Sequence, residues 1–225
     1  MRARVLQHIK PISKKDQVVE RIKRAILLGD LKAGEAIIEN KMAQDLGIGN
    51  PLVREALIEL EQQGFVQRIP YKGTTVTKLS AQDIEHIFSL RVELESLAIE
   101  WAKPHTTATD VDELRELVQG MRQAAEEMRE DLFTDHDLAF HRKLWQLSGN
   151  PHLAKSLEKI VVPLFAFSLM RNHPDRETYL ESATIHEQIV AALVLLEASE
   201  LRKKVIKFML RWKDDLLTRL IPNQA

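Results

Sequence analysis

Cysteine is absent from this sequence. Neither a disulfide nor a thiolate-held metal can therefore hold the fold together. Long apolar runs are missing too: no window approaches the roughly 18 uninterrupted apolar residues of a membrane-spanning helix. The opening stretch, Met1-Arg-Ala-Arg-Val-Leu-Gln-His8, lacks the apolar core of a secretory signal, so the cytoplasm is the expected compartment. There is no internal repeat and no low-complexity tract, and beyond residue 80 there is almost no strand-like alternation.

An excess of charge of one sign is also lacking, since the net charge is −1. That figure hides an asymmetry. Residues 1–79 hold 14 Lys and Arg against 9 Asp and Glu, whereas residues 80–225 hold 18 against 24. A basic front on an acidic remainder suits a nucleic-acid-binding head on a body that does not bind phosphate. With 44% apolar residues over 225 positions, the chain can build one or two genuine cores.

The punctuation of the front third predicts a compact order of elements. Val18, Val19, Ile22, Ala25, Ile26 and Leu27 form an apolar stripe at helical spacing, which predicts a helix over 16–28. A second helix is expected over 39–46, and Asn50-Pro51 reads as the N-cap and first residue of a third. Residues 68–71 and 74–79 read as two short strands around a Lys72-Gly73 tip. Helix, turn, helix and wing in this order suit a module that lays one helix in the major groove and touches the neighbouring backbone with a hairpin. Arg54 falls on the polar side of the third helix, and its guanidinium matches guanine or phosphate oxygens; the competing reading is an ion pair with Glu55 or Glu59. Lys72 is a candidate phosphate contact, with a solvated surface lysine as the rival, and Gly73 is either a close-approach or a simple turn glycine.

From Ser80 onward the pattern is helical, with helices expected over 81–102, 110–129, 132–148, 151–171, 175–197 and 199–220. The fold class is thus mainly α: a winged helix-turn-helix with a small β-wing over 1–79, followed by an all-α helical bundle over 80–225. In this second part Asp137 and His141 are four apart and share a helix face with Leu144 and Trp145. His186 lies among apolar residues of a later helix, and an Asp with two His would suit Zn²⁺, Ni²⁺ or Mn²⁺. The competing reading is a hydrogen-bonded structural histidine and an aspartate that caps its helix. Arg91 interrupts an apolar stripe of Ile84, Ile87, Phe88, Leu94, Ala98 and Trp101. A buried guanidinium needs an anion, either Glu95 one turn on or the carboxylate of a ligand.

Residues 1–79 resemble the winged helix of the GntR family. The likeness lies in Gly29-Asp-Leu-Lys-Ala-Gly34, in Glu39-Asn-Lys-Met-Ala-Gln-Asp-Leu-Gly47 and in Val53-Arg-Glu-Ala-Leu57 with Leu60-Glu-Gln-Gln-Gly-Phe-Val66. The resemblance implies DNA contacts at Asn50, Pro51, Arg54, Lys72, Gly73 and Thr74. This chain has Gly49-Asn50-Pro51-Leu52 where the family usually has Ser-Arg-Thr-Pro, so an arginine commonly used for DNA is replaced by Asn50. Residues 83–215 resemble the all-α FCD ligand-binding domain of the FadR subfamily, through Arg91-Val-Glu-Leu-Glu95, Asp137-Leu-Ala-Phe-His141, Ser148-Gly-Asn-Pro151 and His186-Glu-Gln-Ile189.

That likeness implies metal ligands at Asp137, His141 and His186; the fourth falls near Arg211, where no histidine exists. Either three ligands hold a metal with open positions, or Arg211 replaces the cation and grips an anionic effector directly. The implied effector site is Arg91, Asp137, His141, His186 and Arg211, and the implied effector is a small organic acid or related metabolite. Taken together the expectation is a ligand-responsive homodimeric regulator on a palindromic duplex site, more often a repressor and not an enzyme. Helices 110–129 and 151–171 are the candidate dimer surfaces. The rivals are a metal-dependent hydrolase built on Asp137, His141 and His186, and a helical adaptor that binds no DNA.

Overall fold

Helix α1, Lys14–Leu27, starts where Ser13 turns its hydroxyl back to accept from the Asp16 backbone N–H. The computed structural model describes residues 13–71, 73–171 and 173–220, and they fall into two compact units, 1–76 and 77–225. The expected boundary lay at 79/80; the units meet three residues earlier because the last strand ends at Val76 and Ser80 already belongs to the next helix as its cap.

In the first unit α1 is followed by β1 (Ala36–Ile37), α2 (Glu39–Leu46), α3 (Asn50–Gln62), β2 (Val66–Ile69) and β3 (Gly73–Val76). Gly47, in the left-handed conformation, ends α2 and opens the turn to α3. The N-cap of α3 is Gly49 and not Asn50, which is its first helical residue; the Asn50 amide is instead used to donate to Asn40 Oδ1 at 2.7 Å. The sheet has three strands rather than two, in the order β1-β3-β2 and antiparallel throughout. Its register sets Ile69 against Gly73, so Pro70 and Tyr71 belong to the turn. The strands therefore lie one to three residues earlier than their expected positions, and Tyr71, at φ +64°, takes the left-handed position of the turn. Ile22 and Ile26 of α1 and Val53, Ala56, Leu57 and Leu60 of α3 form the core under the sheet. Each such buried side chain is worth roughly 1.5–3 kcal/mol.

Among the described residues the second unit is all helix: α4 (Ala81–Ala102), α5 (Ala108–Glu126), α6 (Glu130–Leu147), α7 (Pro151–Arg171), α8 (Arg176–Leu195) and α9 (Ala198–Leu220), with one 3-10 turn at Lys103–His105. Reciprocal capping boxes start α4 (Ser80 with Asp83) and α5 (Thr107 with Asp110), each satisfying two otherwise orphaned N–H groups. The Asn150 side chain accepts from the His152 and Leu153 N–H groups at the head of α7. Helix α4 packs against α6, α7 and α9, while α5 packs against α6 and α8.

The face that α4 buries differs from the expected stripe. Ile84, Phe88, Arg91, Val92, Glu95, Ala98, Ile99 and Ala102 are inside, whereas Trp101 is 39% exposed. The helix is apolar on two sides, and the sequence pattern merged them. Among the described residues no helix is long and apolar enough to cross a membrane.

Candidate functional site

The first unit presents Arg54 from the front of α3, with a side chain 62% exposed. Its Nε lies 2.5 Å from Glu39 Oε2 at the start of α2. The partner is neither Glu55 nor Glu59; Glu59 accepts from Lys15 Nζ at 2.8 Å instead. An exposed pair of this kind is worth about 0–1 kcal/mol, so Arg54 can exchange Glu39 for a phosphate or a base edge at little cost. Pro51 is exposed beside it in the first turn of α3. Gly73 opens β3 at the edge of the turn, and Lys72 lies outside the described residues. Thr74 is buried in the central strand, so its side chain faces no partner on the surface. Two wing residues escaped the sequence reading: Tyr71, fully exposed, and Arg68, exposed and only loosely paired with Glu61 at 3.7 Å. The sequence reading put Tyr71 at the end of a strand over 68–71, with the tip at Lys72-Gly73.

The second unit brings Asp137, His141 and His186 together. Their ligand atoms all lie within 4.8 Å of one another. Helix α6 carries Asp137 and His141 one turn apart, and α8 supplies His186 from across the core. Asp137 sits in the middle of α6, so it does not cap that helix.

His186 Nδ1 lies 2.8 Å from the Ser182 carbonyl oxygen, which assigns the proton to that nitrogen. Its Nε2 then points a lone pair at Asp137 Oδ1, 3.1 Å away, and both atoms are buried with no hydrogen-bond partner. Two acceptors facing each other at this distance call for a cation or a further proton between them. His141 Nδ1 lies 2.8 Å from Glu95 Oε2, an ion-pair contact rather than an aligned hydrogen bond, and its Nε2 is 3.4 Å from Asp137. A carboxylate behind a histidine is the usual way of aiming the opposite ring nitrogen at a metal. The donor set thus fits a divalent transition metal, with one condition. Arg91 Nη2 stands 3.1 Å from His141 Nε2, so the guanidinium would have to move aside, and His141 give up its proton, for a metal to reach that nitrogen.

Arg91 is 1% exposed. Its Nε donates to Glu95, and its guanidinium lies over the rings of Trp212 (4.7 Å), Phe165 (5.2 Å) and Phe88 (5.7 Å). Both partners weighed from the sequence remain relevant: Glu95 takes Nε, while Nη1 is buried and unpartnered. Burial alone would raise the Glu95 carboxyl, but Arg91 and His141 outweigh it and hold it lowered to about 2. Asp137 is likewise held well below the usual carboxylate range, burial being outweighed by His186 and His141. Burial would lower His141, yet Glu95 and Asp137 raise it to about 9.

Arg91, Asp137, His141 and His186 border a cavity of about 140 Å³ whose apolar lining includes Phe165, Tyr179, Phe208 and Trp212. Arg211 also reaches it, but its guanidinium binds Glu181 and its side chain is 62% exposed, which places it at the rim rather than in a fourth ligand position. The arrangement can hold a small anion with an apolar body against Arg91, with or without a metal on the Asp-His-His set.

Comparison with known proteins agrees with both halves. Residues 14–76 match the model of bacterial regulatory proteins of the gntR family, and residues 86–203 match that of the FCD domain. The HTH-type transcriptional regulator YdhC of Bacillus subtilis is 29% identical over 145 residues, 64% of this chain and 65% of the relative, just under two thirds of its length. The HTH-type transcriptional regulator McbR of Escherichia coli is 29% identical over 154 residues, covering 68% of this chain and 70% of that protein. The transcriptional repressor NanR of Citrobacter rodentium is 27% identical over 204 residues, covering 81% and 77%. The solved structure of E. coli McbR/YncC superposes with a TM-score of 0.69 over 91% of this chain and 97% of that one, at 24% identity, and so shares its fold.

Proposed function

Since the chain belongs to the GntR family of bacterial regulatory proteins, with an FCD domain behind its DNA-binding head, we propose that it is a transcription repressor released or recruited by a small carboxylate. The effector half rests on one observation: a fully buried arginine, Arg91, keeps Nη1 unpartnered at the edge of a largely apolar cavity. An anion is the group that satisfies it. On the DNA side Arg54 and the exposed first turn of α3 carry the contact, with Asn50, Pro51, Gly73 and Lys72 around it. The family membership favours this reading over the hydrolase and the adaptor.

Asp137, His141 and His186 would hold a divalent metal, which when bound supplies a Lewis-acidic anchor for a carboxylate. Arg91 then turns its Nη2 from His141 to the ligand. The effector favours one arrangement of the heads by the difference in its affinity for the two states, typically about 1–3 kcal/mol.

Duplex recognition of this kind uses two copies, and α4 offers the surface. Ile87, Leu90, Leu94, Leu97 and Trp101 recur at alternating three- and four-residue spacing, the spacing of a helix-on-helix seam. Each is half-buried or exposed, Leu90 at 52%. An antiparallel crossing centred on Leu94 would set Ile87 of one copy on Trp101 of the other.

The test is binding of genomic fragments by the full chain in the cytoplasmic range of salt. Arg54→Ala is expected to lose roughly tenfold or more in affinity with Tm unchanged. Carboxylate metabolites, with and without Zn²⁺, Ni²⁺ or Mn²⁺, are expected to raise Tm and shift that affinity. Binding of no fragment under any of these conditions would sink the proposal.

A further inference from the structure

The tip of the wing holds a side chain that the head itself does not use. Tyr71 sits between β2 and β3 with φ +64°. A side chain with a Cβ adopts this region at a cost, and glycine, asparagine and aspartate are the residues that usually take it. The ring does not offset that cost by packing, since Tyr71 is 108% exposed, as open as in an isolated peptide. By contrast Tyr179, the other tyrosine of the chain, is 7% exposed. Among the described residues of the head, nothing packs on this ring to select the strained backbone. Residues held this way are found where they serve a contact.

We infer that Tyr71 is a DNA-anchoring residue of the wing, its ring laid on the deoxyribose of the groove beside the one read by α3. The inference rests on the DNA-binding reading above and adds a residue to it. The surroundings point to nucleic acid rather than protein. Arg68, two residues before Pro70 on β2, is exposed and its side chain is held only at 3.7 Å by Glu61, so it is available for phosphate. Tyr71 also follows Pro70, which stiffens the approach to the tip. A tyrosine suits a sugar-phosphate edge: the face packs on the apolar ring of the sugar, and the hydroxyl can donate to a phosphate oxygen or a minor-groove acceptor.

The experiment separates a contact from a structural residue by the sign of two measurements. Its probe is the duplex that the wild-type chain enriches from a random-sequence library. In Tyr71→Gly the left-handed backbone costs nothing, so Tm is expected to hold or rise while affinity falls about tenfold. Tyr71→Asn, which also tolerates positive φ but keeps a side chain at the tip, is expected to match it. Hydroxyl-radical footprinting should show sugars outside the major-groove contact protected by the wild type and open in both variants.

Unchanged affinity in either variant overturns the inference, as does a loss of affinity that accompanies a fall in Tm. If the wild type enriches no sequence, the DNA-binding reading itself fails and this contact with it.

Discussion

At the scale of single residues, the pair Arg91–Glu95 decides most. Both are buried, on consecutive turns of α4, and each is the other's main counter-charge. Arg91→Met leaves Glu95 charged and buried, at an expected cost of about 3–5 kcal/mol, and adding Glu95→Gln should recover a good part of it. Urea unfolding of the single and double variants measures this; equal stability of Arg91→Met and wild type would refute it. The same residues set a pH window. The Glu95 carboxyl, at about 2 against its ordinary 4.5, contributes stability that is present above about pH 4.5 and lost as pH falls toward 2. His141, at about 9 against 6.5, contributes below about pH 6.5 and loses it as pH rises through 9. The Tm of metal-free protein should therefore plateau between about pH 5 and 6.5 and fall on both sides, with the acid arm flattened in Glu95→Gln. A monotonic profile would contradict this assignment.

Elements raise a different question, that of how helices approach. Gly120 lies inside α5, where glycine ordinarily costs about 1 kcal/mol relative to alanine. The His136 ring of α6 fills the space that a side chain would need: a Cβ built there comes within 2.6–2.7 Å of three of its atoms. Gly120→Ala is expected to destabilise by about 1–2 kcal/mol net, since overpacking outweighs the gain in helix propensity. In a His136→Ala background the same change should stabilise by up to about 1 kcal/mol, and one sign in both backgrounds would refute the packing account.

This scale also shows what the sequence makes legible. Ser80, Thr107, Asn150 and Gly47 act on their own few neighbours, so helix ends could be read locally to within a few residues. Strand β1 could not, because two residues between a turn and a helix carry no period. On α4 two apolar faces overlapped in one pattern, and only packing separates the face toward α6, α7 and α9 from the exposed Leu90 and Trp101. Partners distant in sequence were the hardest. The i,i+4 spacing of Asp137 and His141 is visible in the sequence, but that His186 meets them, or that Arg54 turns to Glu39, depends on the folding of separate helices.

For the molecule as a whole, the proposed function depends on assembly into a dimer. Leu90→Glu puts a charge into the proposed seam at a position already 52% exposed, so the fold should persist while the dimer dissociates. Light scattering after gel filtration is expected to read one chain per particle, with duplex affinity reduced in step; a dimer that survives the change would place the interface elsewhere. The three tryptophans offer a way to follow the body alone. All of them, Trp101, Trp145 and Trp212, lie in the helical half, and the head has none. Light absorbed at the red edge of the indole band is therefore emitted from one half of the chain only. Because the guanidinium of Arg91 lies over Trp212, the arrival of an anion that draws it aside would register as a change in emission colour, with no dye attached and no interference from the half that grips the operator.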